Sequence, residues 1–165
     1  MKSIIENMIA DSFSFLITQF DFFHVKMKSD RYEAKTRFVN KYSAITITYE
    51  YRDAYFNVVI SKLVDGNIIP SPSSFLIHKG TILYNHSLND ILELLSPDDV
   101  MLPIYEYGED SPYYDEKNGF EKYIAKYADN LRKYGPPFFK GDFSLFPLLD
   151  EIVVARIEEW NKRWN

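Results

Sequence analysis

The fold of this chain is decided by residues 31–63, which read RYEAKTRFVNKYSAITITYEYRDAYFNVVISKL. Apolar and polar side chains alternate here with a period of two, as in the run at 45–48, Ile-Thr-Ile-Thr. That period is the one expected of strands with one buried face. Short polar breaks at residues 40–41 and 52–53 divide the stretch into three runs rich in β-branched and aromatic residues. This pattern predicts an antiparallel meander.

Outside the meander, the sequence predicts one more strand and several helices. Residues 22–28 are expected to add an edge strand, and residues 3–20 to form an amphipathic helix that a break at 11–12 could split. An antiparallel sheet with one apolar face must cover that face, and the helices are the available cover. We therefore predict a single α+β domain over residues 1–165, with an antiparallel β-meander of about four strands covered by an N-terminal helix and C-terminal helices.

The C-terminal helices are predicted from their caps and apolar stripes. Ser87 is expected to cap a helix that stops at Ser96-Pro97, and Asn118 with Glu121 to open a second helix that ends at residues 135–137. A last helix is expected to start within 142–147, with Asp142 or Ser144 as its cap. Its inner face is predicted to comprise Leu145, Leu148, Leu149, Ile152, Val153, Ile157, Trp160 and Trp164. Residues 68–86 are expected to be irregular, with a short strand at 75–77 as an option.

Composition narrows the classes of function. The 165 residues are 46% hydrophobic, which is outside the range of disordered chains. The absence of cysteine excludes disulfides, thiolate metal sites and a cysteine nucleophile. The net charge of −5 and the lack of a basic stripe argue against a nucleic-acid partner. With no recognisable signal peptide and no apolar run long enough to cross a bilayer, the sequence predicts a cytoplasmic protein with no membrane association.

No catalytic, metal or cofactor site is predicted. The common phosphate-binding, hydrolase and zinc-protease motifs are absent. His24, His78 and His86 lie in separate segments without metal-ligand spacing, so a surface or capping role is expected for each. Adjacent carboxylate pairs, at 98–99 and 109–110 for example, are interpreted as solvated loop charge. These absences favour a protein that is not an enzyme and that needs no cofactor.

The most distinctive stretch is residues 105–116, within a long loop predicted over 98–117. It contains five acids, four tyrosines and no base. The candidate partner-binding residues are Tyr105, Glu106, Tyr107, Glu109, Asp110, Tyr113, Tyr114, Asp115 and Glu116. Concentrated acid would steer a cationic partner, and tyrosine would supply contacts of low entropy cost. The competing interpretation is a solvated loop whose tyrosine rings pack back onto the core.

The C-terminal third carries a resemblance. Residues 127–135, YADNLRKYG, are followed by Phe-Lys-Gly-Asp at 139–142. Together with a leading helix and a strand meander, this ending resembles that of small uncharacterised bacterial proteins, some of which look like immunity proteins. Such proteins neutralise a toxin by direct binding. The resemblance implies a protein partner and brings no catalytic residues with it.

The leading hypothesis is a non-enzymatic cytoplasmic binding protein, an immunity protein that covers the cleft of a basic toxin domain with its 105–116 loop. One alternative is a small-molecule-binding protein or enzyme with a pocket between the sheet and the helices. Another is a structural subunit that docks on a partner through Trp160 and Trp164. The oligomeric state is left open.

Overall fold

The computed structural model describes residues 2–27, 29–115 and 117–164. The helices are α1 (Lys2–Ser12), α2 (Phe15–Phe20), α3 (Leu88–Leu95), α4 (Gly119–Tyr134), α5 (Pro136–Phe139) and α6 (Phe146–Trp164). The strands are β1 (Phe23–Lys26), β2 (Glu33–Val39), β3 (Ser43–Glu50), β4 (Tyr55–Val64), β5 (Asn67–Ile68) and β6 (Asn85–Ser87). Three 3₁₀ turns lie at Ser74–Leu76, Pro97–Asp99 and Ile104–Glu106. The predicted α+β class is confirmed.

The sheet is an antiparallel meander in the order β1-β2-β3-β4-β5, and β6 also pairs with β4. It has six strands, so the prediction of about four strands is low. The two strands that sequence analysis missed are β5, with two residues, and β6, with three, which are too short to show alternation. The optional strand at 75–77 is wrong, because Ser74–Leu76 forms a 3₁₀ turn.

The register of the strands places the apolar residues on one face. Phe38 pairs with Ile45, which pairs with Ile60, and in the next row Ile47 pairs with Val58. These five side chains are almost fully buried. The opposite face carries polar side chains such as those of Lys35, Arg37, Thr46 and Thr48, which are half-buried. The predicted division into an apolar and a polar face is confirmed.

The helices cover the apolar face, and all six contribute buried residues to one core with it. That core includes Ile9 of α1, Leu16 of α2, Leu92 of α3, and Tyr123 with Leu131 of α4. The helix predicted over 3–20 is two helices, because the chain turns after Ser12. At this turn the Ser14 hydroxyl donates to the carbonyl oxygen of Asp11 at 2.8 Å.

The last helix reaches beyond this core. Trp160 and Trp164 follow Val153 and Ile157 by seven residues each, so they lie on nearly the same side of α6. Val153 and Ile157 pack on a small cluster formed by Ile77, Leu83 and Val154, whereas Trp164 is 74% exposed. The two tryptophans therefore continue this stripe where the helix side is exposed, and an exposed apolar pair is the feature that the docking alternative requires.

The predicted inner face of α6 is thus wrong in part. Leu149 is buried, but Leu148, Ile152, Trp160 and Trp164 are exposed. Leu148 and Ile152 lie on the outer side of the helix, because the inner side is set by Leu149, Asp150 and Val154. Neither predicted cap is found, since the Asp142 carboxylate accepts from the Ser144 amide at 3.0 Å ahead of the helix.

Replacing Ser87 by alanine is expected to lower the free energy of unfolding by about 1 kcal/mol, because Ser87 caps α3. Its hydroxyl oxygen accepts from the Asp90 amide at 3.1 Å. Ser73→Ala is the matched control, since Ser73 precedes a 3₁₀ turn and makes no side-chain cap bond. Urea denaturation of both variants measures the difference. Equal losses from the two substitutions would show that the cap contributes nothing.

Candidate functional site

The predicted loop joins the 3₁₀ turn that follows α3 to the first turn of α4. Six of the nine predicted contact residues are exposed along it: Tyr105, Glu106, Glu109, Asp110, Tyr114 and Asp115. Tyr107 and Tyr113 are half-buried and pack on the core, and Glu116 lies outside the described residues. The two interpretations of the loop therefore apply to different tyrosines.

Tyr107 and Tyr113 anchor the loop through a row of aromatic rings. The Tyr107 and Tyr113 ring centroids are 4.7 Å apart, and Tyr113 is 5.6 Å from Tyr123 of α4. Tyr123 is 5.2 Å from Tyr127, which is 4.8 Å from Phe56 of β4. All four contacts are edge-on, the arrangement that aromatic quadrupoles favour at about 0.5–1.5 kcal/mol each. The row fixes the loop to the sheet by way of α4.

Burial affects the pKa of three phenols in this row. It raises the pKa of Tyr113, with Tyr107 adding to the rise, and it raises the pKa of Tyr123 and of Tyr127. The neutral hydroxyl of Tyr123 donates to the carbonyl oxygen of Leu102 at 2.7 Å.

Hydrogen bonds hold the backbone at the start of the loop. The Asn89 side chain donates to the Met101 carbonyl at 2.9 Å and accepts from the Met101 amide at 3.0 Å. The Tyr107 hydroxyl oxygen accepts from the Leu102 amide at 3.1 Å. Together with the Tyr123 bond to Leu102, these contacts satisfy the backbone of residues 101–102 from two helices and from the loop itself.

Asp115 holds the other end of the loop. Its carboxylate accepts from the amides of Lys117, at 2.8 Å, and Asn118, at 3.2 Å. These bonds place the pKa of Asp115 below its usual value, with a further contribution from Lys122. Asn118 stands at the predicted helix start but makes no side-chain cap bond, so the predicted capping by Asn118 and Glu121 is wrong. The hydrogen bonds of the Asp115 carboxylate reach only the amides that precede Gly119, the first residue of α4.

Five other side chains of the loop are exposed and form no contact with described residues that stabilises the fold. Tyr105 is 69% exposed and Tyr114 is 56% exposed. Glu106, Glu109 and Asp110 make no side-chain hydrogen bond or ion pair with any described residue. We call these five residues the acidic tyrosine surface. It combines two aromatic rings with three carboxylates on a backbone that is fixed at both ends.

Sequence analysis missed a second arrangement, a buried pair of His86 in β6 and Asp150 in α6. His86 is 2% exposed, and its Nε2 lies 2.7 Å from Oδ1 of Asp150. The expected surface or capping role is therefore wrong for His86, whereas His24 and His78 are exposed as predicted. The two partners are 64 residues apart, and no spacing in the sequence connects them.

One concave site lies where the pocket alternative expects it, between the sheet and a helix. A cavity of about 170 Å³ lies between α1 and strands β1 and β2, with Ile9 and Ala34 in its wall. A wider groove of about 640 Å³ runs between residues 79–82 and α6, and Asp150 lines it. The first is smaller than most ligand pockets, and the second is within their usual range.

Over the described part of the chain, no three histidine or acidic side chains are grouped so as to hold a metal ion. Nor, within those same residues, does a helix have the length and apolarity needed to cross a membrane. Comparison of the chain with protein-family models, with curated proteins and with solved structures found no match.

Gly119→Ala is expected to destabilise the protein by about 1–3 kcal/mol and to displace the loop, because the site has no room for a methyl group. A Cβ at Gly119 would lie 2.3 Å from the carbonyl oxygen of Tyr113. Gly108→Ala is the control within the same loop, since a Cβ there meets nothing within 4 Å. Chemical denaturation gives the stability of each variant, and tyrosine near-ultraviolet circular dichroism reports the ring packing. An unchanged Gly119→Ala variant would contradict the close contact.

Proposed function

We propose that this protein is a non-enzymatic binding protein that captures a basic protein on its acidic tyrosine surface. The observation that supports this proposal most strongly is that Tyr105, Tyr114 and three carboxylates are unpartnered on a backbone held by buried rings and hydrogen bonds. Side chains that stabilise the fold contact other residues of the protein, as Tyr107, Tyr113 and Asp115 do. The exposed five residues are left available for contact with another molecule.

The charge distribution favours a cationic partner. The chain has 24 acidic and 19 basic residues, which gives the net charge of −5. Residues 105–116 contain five acids and no base, so the other residues balance to zero. A field concentrated at one site raises the association rate with an oppositely charged surface by about 10 to 10³-fold at low ionic strength.

The exposed tyrosines would stabilise the complex after the two proteins have met. Tyrosine buries a large area at the cost of ordering only two side-chain torsions, and it is common among residues that dominate interface energies. Because the loop backbone is already anchored, binding would not have to order it. This combination suits a partner that presents lysine or arginine around an apolar contact.

Within this class we propose a cytoplasmic immunity protein. A toxin that acts on nucleic acid needs a basic cleft, and an acidic surface with exposed rings would cover such a cleft by mimicking charge and stacking. The resemblance of residues 127–142 to immunity-like proteins supports the same proposal. The function would be neutralisation by occlusion, without catalysis.

Neutralising Glu106, Glu109 and Asp110 together, as Glu106→Gln, Glu109→Gln and Asp110→Asn, is expected to slow partner association about tenfold at low salt. The free energy of unfolding should change by less than about 0.5 kcal/mol, because these side chains hold no described residue. Partners are captured from a lysate of the native source and identified by mass spectrometry. Association rates are then measured by surface plasmon resonance at low and high salt.

The matched control carries Asp11→Asn, Asp21→Asn and Glu50→Gln, which remove the same charge from exposed sites outside the loop that, like the loop acids, form no ion pair with a described residue. It should retain the partner and most of the association rate. Tyr105→Ala with Tyr114→Ala should instead speed dissociation. Equal effects of the two charge variants on a basic partner would show that net charge, and not the acidic tyrosine surface, governs binding.

A further inference from the structure

The groove between residues 79–82 and α6 has features of a ligand site that are independent of the acidic tyrosine surface. It encloses about 640 Å³, and none of its lining residues belongs to the 105–115 segment. Ile82, Val154 and Ala155 contribute apolar wall, and the buried Asp150 contributes a carboxylate. A concave, partly apolar site with a few polar groups is the usual form of a small-ligand pocket.

A hydrogen bond with His86 holds one carboxylate oxygen of Asp150 in place, since Nε2 of His86 lies 2.7 Å from Oδ1. Nδ1 of His86 is buried and has no hydrogen-bond partner among the described residues. A proton there would be a buried donor without an acceptor, so we assign the tautomer that carries its proton on Nε2 and donates it to Oδ1 of Asp150. The other carboxylate oxygen of Asp150, Oδ2, accepts no hydrogen bond from the described residues.

The rest of the lining adds to this negative charge. Glu151 and Glu158 also line the groove, and Lys79 is its one basic lining residue. Oε1 of Glu158 accepts from the Lys79 backbone amide at 2.9 Å, which joins the two walls. Among the described lining residues there are therefore three carboxyl groups and one amino group, so acidic side chains predominate.

We propose that this groove binds an organic cation, an ammonium or guanidinium group on a short apolar chain. The cationic group pairs with Asp150, and the chain lies along Ile82 and Val154. A buried carboxylate with one oxygen free of hydrogen bonds can form a charge-assisted hydrogen bond with either group, and the apolar wall can bury the methylenes of the chain. The cation can be a free small molecule or a lysine or arginine side chain of a protein.

The probes are agmatine, which carries both cationic groups on a four-carbon chain, and the capped tripeptide acetyl-Gly-Arg-Gly-amide. Binding is followed by amide chemical shifts of the full-length protein, with the signals of Ile82, Val154 and Ala155 as reporters. We expect saturable binding with a Kd on the order of 1 mM, the strength reasonable for so few atoms. Hexanoate, which has a similar chain and the opposite charge, should not bind.

Two variants test the site. Asp150→Asn keeps an oxygen for the His86 proton and removes the charge, and it should weaken agmatine about tenfold or more. Ala155→Phe fills the groove from an exposed position without touching the buried pair, and it should abolish binding. If Asp150→Asn does not fold, Ala155→Phe alone tests whether agmatine binds in the groove. Asp110→Asn, on the acidic tyrosine surface, is the charge control and should bind agmatine like the wild type.

Saturable agmatine binding that both variants lose would support the site and a free cation as ligand. Binding of the tripeptide alone, lost in the same variants, would support the site and assign the cation to a protein side chain. The proposal would be overturned if neither probe bound up to about 20 mM, if hexanoate bound equally well, or if the folded variants kept their affinity. It would equally be overturned if Asp110→Asn weakened agmatine as much as Asp150→Asn does. These results are separate from capture of a basic partner on the acidic tyrosine surface.

Discussion

The edge-on contacts that run from Tyr107 through Tyr113 and Tyr123 to Tyr127 and Phe56 are the interaction on which the rest of the account depends. They connect a loop with five acids to the centre of the sheet. Like charges on a free loop would separate and move apart in solvent. The buried rings and the hydrogen bonds to residues 101–102 oppose that tendency, so charge and exposed tyrosine are presented together.

Strand and helix positions were predictable where one period extended over many residues. Residues 31–63 alternate strongly enough to give three strands, and Ser87 was identified as a cap from local chemistry that the structure confirms. The misses have physical causes. Strands of two or three residues carry no period, and the stripe of α6 continues past the core that it was expected to face, which leaves Trp160 and Trp164 exposed.

The functional surfaces show a different limit of sequence reasoning. Composition located the acids and tyrosines of 105–116. It could not tell which tyrosines are packed and which are exposed, because the packing of Tyr107 and Tyr113 depends on contacts with α4. The buried pair of His86 and Asp150 left no signal at all, since it depends on β6 and α6 meeting in space. Helix and strand positions depend on nearby residues, whereas the tyrosine contacts with α4 and the pair of His86 and Asp150 depend on how distant elements pack.

The central claim is that the acidic tyrosine surface is held rigid before any partner arrives. Heteronuclear ¹⁵N NOE values for the amides of Glu106, Glu109, Asp110 and Tyr114 test it most directly. We expect NOE values close to those of α4 in the wild type. The NOE values should fall clearly when Tyr113→Ala removes the ring between Tyr107 and Tyr123. Low values in the unaltered protein, typical of a freely moving loop, would contradict the claim.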